Sequence, residues 1–381
     1  MAPSFWIRMS LRDRLLGFRD SVLSNPGFQR FAAVFPLTRP IARKRAGALF
    51  DLCAGFVYSQ ILLACVRLRL LDQLAAGPIG AAELASRLAL PLASMQLLLD
   101  AAIALGLVQR RSQDRYGLGK LGAELYGNPS VSAMIEHHAM LYGDLQDPVA
   151  LLRGQSGAGQ LAGYWPYAKG GATAELSSDA VAPYTALMAA SQPMITQQVL
   201  HNYSFRTHRC LLDVGGGDGA FIAAVAAQAP QLHCLLFDLP AVAAKATARF
   251  SASGLSRATA IGGSFLTDPL PQGADVISLV RVIHDHDDDA AMTLLRAARA
   301  ALPDDGTLVV AEPITGVRGT EAIGDAYFAF YLLAMGSGKP RTFVQFHQML
   351  SAAGFEGIKL LPGAMPLVTS VITGRCTPKM C

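Results

Sequence analysis

The chain has 381 residues, of which 52% are hydrophobic and 16% are charged, and its mean hydropathy is +0.33. This length predicts two or three domains, and this composition excludes an intrinsically disordered chain. The net charge of +4 is uneven: residues 1–48 hold nine basic and two acidic residues, so that segment carries +7 and the remaining chain −3.

Residues 1–48 are predicted to form a basic, aromatic helical arm. Phe5, Trp6 and Phe18 lie among its arginines, a pattern that favours either an anionic membrane surface or packing on a partner subunit. Charged residues interrupt the N-terminus and the apolar stretch 56–71, so we expect neither a signal peptide nor a membrane span. Six scattered cysteines without a C-x-x-C pair predict reduced thiols and a cytoplasmic protein.

Residues 49–127 are predicted to form a winged-helix domain. The elements in chain order are a helix over Ala48–Leu71, a short helix over Ala81–Leu88, a helix over Leu92–Leu105, and a hairpin that turns at Gln113-Asp114. The helix in the DNA-reading position carries Asp100 and no Lys or Arg, whereas nucleic-acid recognition needs basic side chains. We therefore predict a dimerisation domain and no nucleic-acid partner.

Residues 128–204 are predicted to be a helical linker that forms a substrate wall. The segment contains the pair His137-His138 and an aromatic cluster of Tyr164, Trp165 and Tyr167. The same side chains would also suit an ordinary hydrophobic core.

Residues 205–381 alternate between short apolar strands and helices, which predicts an α/β Rossmann-like domain with a doubly wound, mostly parallel sheet. The predicted strands are Leu211–Val214, Cys234–Phe237, Ala258–Gly262, Asp275–Val282 and Leu308–Ala311, and the predicted helices are Ala220–Ala229, Ala241–Phe250 and Ala290–Leu302.

The first strand leads into the glycine run Gly215–Gly219, which can turn tightly and approach a ligand closely. The spacing of these glycines fits a dinucleotide as well as S-adenosylmethionine. Asp213 and Asp218 favour the second cofactor, because acids would repel a pyrophosphate and attract a sulfonium and an ammonium. Asp238, after the second strand, is placed to accept hydrogen bonds from ribose hydroxyls of either cofactor.

The segment Ile283–Asp289 (IHDHDDD) follows the fourth strand, where side chains line the ligand crevice of such sheets. His284 is a candidate general base, and Asp285 or Glu312 would orient its imidazole. The same run resembles an H-x-H-x-D metal motif, but a further histidine is missing at Asp289, so we predict no metal. Some of the aspartates would cap the following helix.

Several ordered motifs resemble the small-molecule O-methyltransferases of the caffeate and acetylserotonin type. They are LLDVGGGDG, FDLP, GGSF, RVIHDHDDD and VVAEP. The resemblance implies that His284 is the base and Glu312 its partner, with Asp285 beside them. It also implies that Gly215, Asp238, Ser264 and Phe265 line the cofactor site, and we predict that Asp213, Gly217, Asp218, Leu239 and Arg281 belong to the same site. Ser264 departs from the family's usual aspartate, and Val280 from a common lysine. Pro340 replaces an acid that plant members have.

The N-terminal stretch PLTRPIARKRAGALFDLCAGFVYSQILLACVRLRLLDQL resembles, more closely, the carotenoid O-methyltransferases of purple phototrophic bacteria. This resemblance implies a homodimer that methylates the tertiary hydroxyl of 1-hydroxycarotenoids such as demethylspheroidene and hydroxyneurosporene. We expect it in the cytoplasm, in peripheral contact with the inner or intracytoplasmic membrane. The alternatives are a bacteriochlorophyll-pathway C-methyltransferase, another small-molecule O-methyltransferase and, from a different class, a winged-helix ligand-sensing regulator.

Overall fold

A computed structural model describes residues 10–155, 157, 159–164, 192–317, 321–362 and 369–377. The chain divides into two compact units, Met1–Tyr126 and Gly127–Cys381. Trp165 and Tyr167 of the predicted aromatic cluster lie outside the described residues, as does the side chain of Tyr164.

The first unit is helical with a small antiparallel sheet in the order β1-β3-β2. Its elements are α1 (Leu11–Ser24), α2 (Pro26–Val34), α3 (Arg39–Arg67), α4 (Leu70–Ala75), β1 (Ile79–Gly80), α5 (Ala81–Arg87), α6 (Leu92–Ala104), β2 (Val108–Arg110), β3 (Arg115–Leu118) and α7 (Lys120–Tyr126). The predicted hairpin is confirmed, since Gln113 and Asp114 turn it with positive φ values of 60° and 49°. A core around Leu84, Met95 and Leu99 joins α5 and α6 to the sheet.

Helix α3 runs unbroken across residues 48 and 49, where the sequence predicted the arm to end and the next domain to begin. Pro40 lies in its first turn, where a missing N–H is tolerated, and Arg43–Arg45 continue the helix. Among the described residues, α3 is the one helix that is by itself long and apolar enough to cross a membrane. Its most apolar window of 18 residues has a mean hydropathy of 1.8, and 11% of that window is buried. Core helices of soluble proteins pass the same test of length and composition, and our expectation that there is no membrane span stays a prediction.

The second unit contains a seven-stranded sheet in the order β11-β12-β8-β7-β4-β5-β6. Its strands are β4 (Cys210–Val214), β5 (His233–Asp238), β6 (Ala258–Gly262), β7 (Val276–Val280), β8 (Thr307–Glu312), β11 (Phe355–Leu360) and β12 (Ser370–Cys376). Strands β4 to β8 are parallel, whereas β12 inserts antiparallel between β8 and β11. A separate parallel pair joins β9 (Ile314–Thr315) to β10 (Arg341–Thr342).

Helices cover both faces of this sheet, as a parallel sheet requires. The described helices are α8 (Pro129–Asp144), α9 (Pro148–Leu152), α10 (Gln160–Tyr164), α11 (residues 192–202), α12 (Ala220–Gln228), α13 (Pro240–Ala252), α14 (Asp288–Ala301), a π-helix (Ala322–Phe328), α15 (Ala329–Met335) and α16 (Phe343–Ala352). Successive residues of β4 point to opposite faces, so Leu211 joins one core and Leu212 the other. The five predicted strands and three predicted helices are confirmed.

Candidate active site

The site lies at the carboxyl edge of the sheet, where the strand order changes direction. Strands β5 and β6 follow β4 on one side, and β7 and β8 lie on the other. Ligands bind at such a switch point because the loops after the two central strands diverge there. The loop after β4 begins at Gly215, and the loop after β7 carries His284. The two loops touch, since a Cβ added at Gly215 would lie 2.7 Å from Val282 Cγ2.

The glycine run uses its lack of side chains at particular positions. Gly215, Gly217 and Gly219 have φ values of 70°, 60° and 81°, which L-residues other than glycine rarely adopt. A Cβ at Gly216 would lie 2.6 Å from Asp213 Oδ2, so Gly216 closes the loop onto that carboxylate. A Cβ at Gly217 would meet nothing within 4 Å, so this backbone is open to a close ligand.

Asp213 lies beneath the loop at the end of β4 and is 1% exposed. Its Oδ1 accepts a hydrogen bond from Ser278 Oγ at 2.5 Å, and its Oδ2 is buried without a hydrogen-bond partner. Burial raises the pKa of Asp213 to about 7; the bond from Ser278 opposes this and the charge of Asp238 adds to it. A buried carboxylate with an unsatisfied oxygen fits a cationic cofactor such as S-adenosylmethionine.

Asp238 ends β5 next to the glycine run. Its Oδ2 accepts the Gly217 N–H at 2.8 Å, and its Oδ1 accepts the Leu239 N–H at 2.7 Å. Both carboxylate oxygens of Asp238 are therefore held at the edge of the glycine run as hydrogen-bond acceptors, which is the property that ribose binding needs. The structure thus brings Asp213, Gly217, Asp238 and Leu239 together, as the sequence predicted.

The prediction that the charge of Asp218 favours a cationic cofactor has to be corrected. Its Oδ1 accepts the Ala220 N–H at 3.2 Å at the start of α12, and its Oδ2 pairs with Arg249. Because that carboxylate already has a cationic partner, its charge does little to select a cationic cofactor. Of the two acids used in the argument, Asp213 is the one with an unsatisfied oxygen.

The end of β6 carries Ser264 and Phe265. The Ser264 N–H donates to Asp268 Oδ2 at 2.8 Å, so an acid stands close to the position where the family usually has one. Asp268 lies four residues downstream of Ser264, so the motif GGSF gave no sign of it. Phe265 packs edge-on against His286, with ring centroids 5.1 Å apart.

His284 lies in a 3-10 turn (Ile283–Asp285) directly after β7 and is 5% exposed. Its Nδ1 hydrogen-bonds to Glu312 Oε2 in a short contact, and its Nε2 lies 3.1 Å from Asp285 Oδ1. Glu312 is fully buried at the end of β8, and its Oε1 accepts the N–H groups of Val282 and Ile283 at 2.8 and 2.6 Å. The carboxylate is therefore fixed from both sides, and it fixes the imidazole.

The pKa values of His284 and His286 are shifted in opposite directions. Burial lowers the pKa of His284, but Asp285 and Glu312 more than compensate, so the pKa lies above its ordinary value even with Arg281 opposing them. Burial lowers the pKa of His286 to about 4, and the charge of His284 contributes. Arg281 itself adopts φ 57° at the end of β7, and its N–H donates to the Ala311 carbonyl at 2.9 Å.

An aromatic wall, formed by Phe328, Tyr327 and Tyr331, adjoins His284. The Phe328 ring packs edge-on against the imidazole at 6.3 Å between centroids, and Tyr327 packs against Phe328 at 5.1 Å. The tyrosine hydroxyls bond to α8: Tyr327 to His138 Nε2 at 2.7 Å and Tyr331 to His137 Nε2 at 2.8 Å. Burial lowers the pKa of both histidines, that of His137 to about 4, so this wall is uncharged at neutral pH.

No group of three or more His, Cys, Asp or Glu side chains could hold a metal ion, within the part of the chain that is described.

Comparison with known proteins identifies the family. Profiles of an O-methyltransferase domain and an O-methyltransferase dimerisation domain match residues 142–356 and 50–135. The chain is 43% identical to the demethylspheroidene O-methyltransferase of Cereibacter sphaeroides, over 91% of both chains. It is 41% identical to that of Rhodobacter capsulatus, over 90% of this chain and 86% of the relative.

The chain belongs to this O-methyltransferase family. It is an S-adenosylmethionine-dependent O-methyltransferase with a dimerisation domain, which confirms the predicted fold class, enzyme class and cofactor. Human N-acetylserotonin methyltransferase, crystallised with S-adenosylmethionine, shares the fold with a TM-score of 0.72 at 24% identity, over 87% of this chain and 98% of that one. The predicted resemblance to carotenoid O-methyltransferases is confirmed at the level of sequence.

Proposed function

We propose that this O-methyltransferase methylates the tertiary hydroxyl of a 1-hydroxycarotenoid such as demethylspheroidene or hydroxyneurosporene, with His284 as the general base. The observation that carries the proposal is the buried His284–Glu312 pair at the switch point, beside the glycine run. The two carotenoid-pathway relatives support the substrate class. The aromatic wall supports it too, because its hydroxyls are bonded internally and its rings suit an apolar polyene.

The cofactor would be held by the loop after β4 and by the ends of β5 and β6. Asp213, Gly215 and Gly217 would face its charged amino-acid part, Asp238 and Leu239 its ribose, and Ser264 and Phe265 its adenine, with Asp218 and Arg281 at the margins. Bound there, S-adenosylmethionine supplies an electrophilic methyl group next to the switch point.

The chain's own residues would prepare the nucleophile. Glu312 Oε2 would accept a hydrogen bond from the Nδ1–H of His284, which leaves the lone pair on Nε2 to take the hydroxyl proton of the substrate. A tertiary alcohol is weakly acidic and crowded, so a positioned base is necessary. Asp285, 3.1 Å from Nε2, would stabilise the imidazolium after the proton has moved. The dyad itself is buried, so its hydrogen bond is shielded from water.

The test is His284→Ala, assayed with labelled S-adenosylmethionine and a panel of hydroxycarotenoids, catechols and bacteriochlorophyllides. We expect loss of transfer to the hydroxycarotenoid with cofactor affinity within about threefold of wild type, because general-base catalysis contributes about 10² to 10⁴-fold. His208→Ala is the control, since it removes a histidine–carboxylate pair outside the site, with Asp275 before β7, that is partly buried. Turnover retained in His284→Ala, or preferred transfer to a catechol or a bacteriochlorophyllide carbon, would contradict the proposal.

We further propose that the protein is a homodimer on the cytoplasmic side of an anionic membrane, contacted by the N-terminal arm. The arm exposes Leu11, Leu15 and Phe18 on α1 and Phe31 on α2. It lies outside the matched dimerisation domain, and its charge of +7 would be repelled by a second arm but attracted by anionic lipid.

Neutralising four arm residues to glutamine, namely Arg12, Arg14, Arg19 and Arg30, tests the membrane contact. Each basic residue near an anionic surface is worth about 1 kcal/mol, so partitioning onto anionic vesicles should fall by about a thousandfold. Binding to zwitterionic vesicles is the reference and should not change. Equal pelleting of the variant and the wild type with anionic vesicles would contradict the proposed membrane contact. The proposed homodimer is tested separately, by sedimentation.

A further inference from the structure

A fully buried arginine lies beneath the turn that carries His284. Arg341, at the start of β10, is 1% exposed and is among the largest fully buried side chains of the described residues. It touches none of the groups that the proposed reaction uses, so the mechanism leaves it unexplained. A buried guanidinium is expensive unless every one of its N–H groups is bonded.

All five N–H groups of Arg341 have acceptors. Nε and Nη2 donate to Asp288 Oδ1 at 3.1 and 2.8 Å, at the start of α14. Nη1 donates to the Ile283 carbonyl at 2.8 Å and to the Lys339 carbonyl at 3.4 Å, and Nη2 also donates to the His286 carbonyl at 2.8 Å. The guanidinium therefore holds the turn at the residues just before and just after the His284–Asp285 pair.

The residues before Arg341 donate hydrogen bonds to the carbonyls of His284 and Asp285, which lie between the two carbonyls that Arg341 binds in this turn. The Lys339 N–H donates to the His284 carbonyl at 2.9 Å, and Ser337 Oγ donates to the Asp285 carbonyl at 2.9 Å. Gly338, with φ 87°, packs against the His284 carbonyl so closely that any Cβ would overlap it. Four consecutive backbone carbonyls, from Ile283 to His286, are thus bonded by one segment, 337–341.

We infer that Arg341 is a positioning residue, which fixes the turn so that His284 keeps Nδ1 on Glu312 and Nε2 toward the substrate. This inference rests on the proposed role of His284 as the base. A 3-10 turn is a weakly bonded structure by itself, and one bond within this turn region, from the His286 N–H to the Ile283 carbonyl, is long at 3.2 Å. The orientation of the imidazole then depends on what holds the turn from outside.

Lysine cannot replace arginine here. Its ammonium is a point charge with three donors and cannot reach Asp288, Ile283 and His286 with the planar fork that arginine presents. Arg341→Lys therefore keeps the charge beside Asp288 but loosens the turn. The charged and titratable groups that face His284 are Asp285, Glu312, Arg281 and His286. A loosened turn moves His284 away from Glu312, which lies on β8 and not on the turn, and so removes one of the charges that raise the pKa of His284.

The experiment compares Arg341→Lys with Arg299→Lys in the full-length enzyme. Arg299 is a matched control, since it is also largely buried and donates to backbone carbonyls of Gly354 and Thr377, away from the turn. For Arg341→Lys we expect kcat to fall by about 10²-fold, as for a misplacement of about 1 Å, with KM and the dissociation constant for S-adenosylmethionine within about threefold. The acid limb of the kcat/KM profile should also move to lower pH, which a merely structural ion pair would not cause.

Ser337→Ala serves as a milder second variant, because it removes a single bond to the Asp285 carbonyl and leaves the core intact. It should show the same acid-limb shift with a smaller loss of kcat. Unaltered kcat and pH profile in both variants, or losses equal to those of Arg299→Lys, would overturn the inference. An inactive His284→Ala beside an unaltered Arg341→Lys would overturn Arg341 alone, whereas an active His284→Ala would remove the base as well.

Discussion

Replacing Glu312 by glutamine should reverse the tautomer of His284. The glutamine oxygen can still accept the N–H groups of Val282 and Ile283, which the structure places at 2.8 and 2.6 Å. Its NH₂ group would then face His284 Nδ1 and donate to it. The imidazole proton would move to Nε2, and the lone pair needed for the hydroxyl proton would be lost.

The magnitude follows from this geometry. In serine proteases, the same carboxylate-to-amide change next to the base lowers kcat by about 10⁴-fold. That factor corresponds to about 5.4 kcal/mol of transition-state stabilisation. Because the backbone bonds to Glu312 are kept, the free energy of unfolding should change by less than about 2 kcal/mol.

The assay is single-turnover methyl transfer at saturating cofactor, together with ¹⁵N NMR of the histidine ring. We expect kcat to fall by about 10³ to 10⁴-fold and the His284 proton to move from Nδ1 to Nε2. The reasoning is refuted if Glu312→Gln retains more than about a tenth of wild-type kcat, or if the proton stays on Nδ1 while activity is lost.

Two further predictions concern the neighbouring residues. Asp285→Asn removes a charge that raises the pKa of His284, so the imidazole should stay unprotonated at lower pH. The acid limb of the kcat/KM profile should therefore move to lower pH. A shift to higher pH, or no shift, would contradict this. Gly217→Ala and Gly254→Ala introduce a side chain at φ 60° and 65° in open space, and both should lower the free energy of unfolding by about 1 kcal/mol. Calorimetric titration should show weaker S-adenosylmethionine binding for Gly217→Ala alone.

The order of local motifs was enough to predict the enzyme domain. The strand, the glycine run and the following helix are adjacent in sequence, so their geometry is set by local rules. His284 and Glu312 are 28 residues apart, yet each lies at the carboxyl end of a strand, and neighbouring parallel strands end at the same edge. The sequence therefore predicted that they meet, although it left open whether Asp285 or Glu312 orients the ring.

Tertiary structure decided the features that depend on distant segments. Asp218 has a cation partner 31 residues away in α13, a pairing that no local pattern signals. Strand β12 lies antiparallel beside β8 in the sheet, although the two strands are far apart in the chain. The sequence alone thus determined the family and the cofactor, and it predicted the glycine run and His284 as parts of the site. Only the folded structure shows that Arg341 holds the His284 turn, because its hydrogen bonds go to backbone carbonyls more than 50 residues away. Every residue has a backbone carbonyl, so the sequence cannot indicate which of them Arg341 binds.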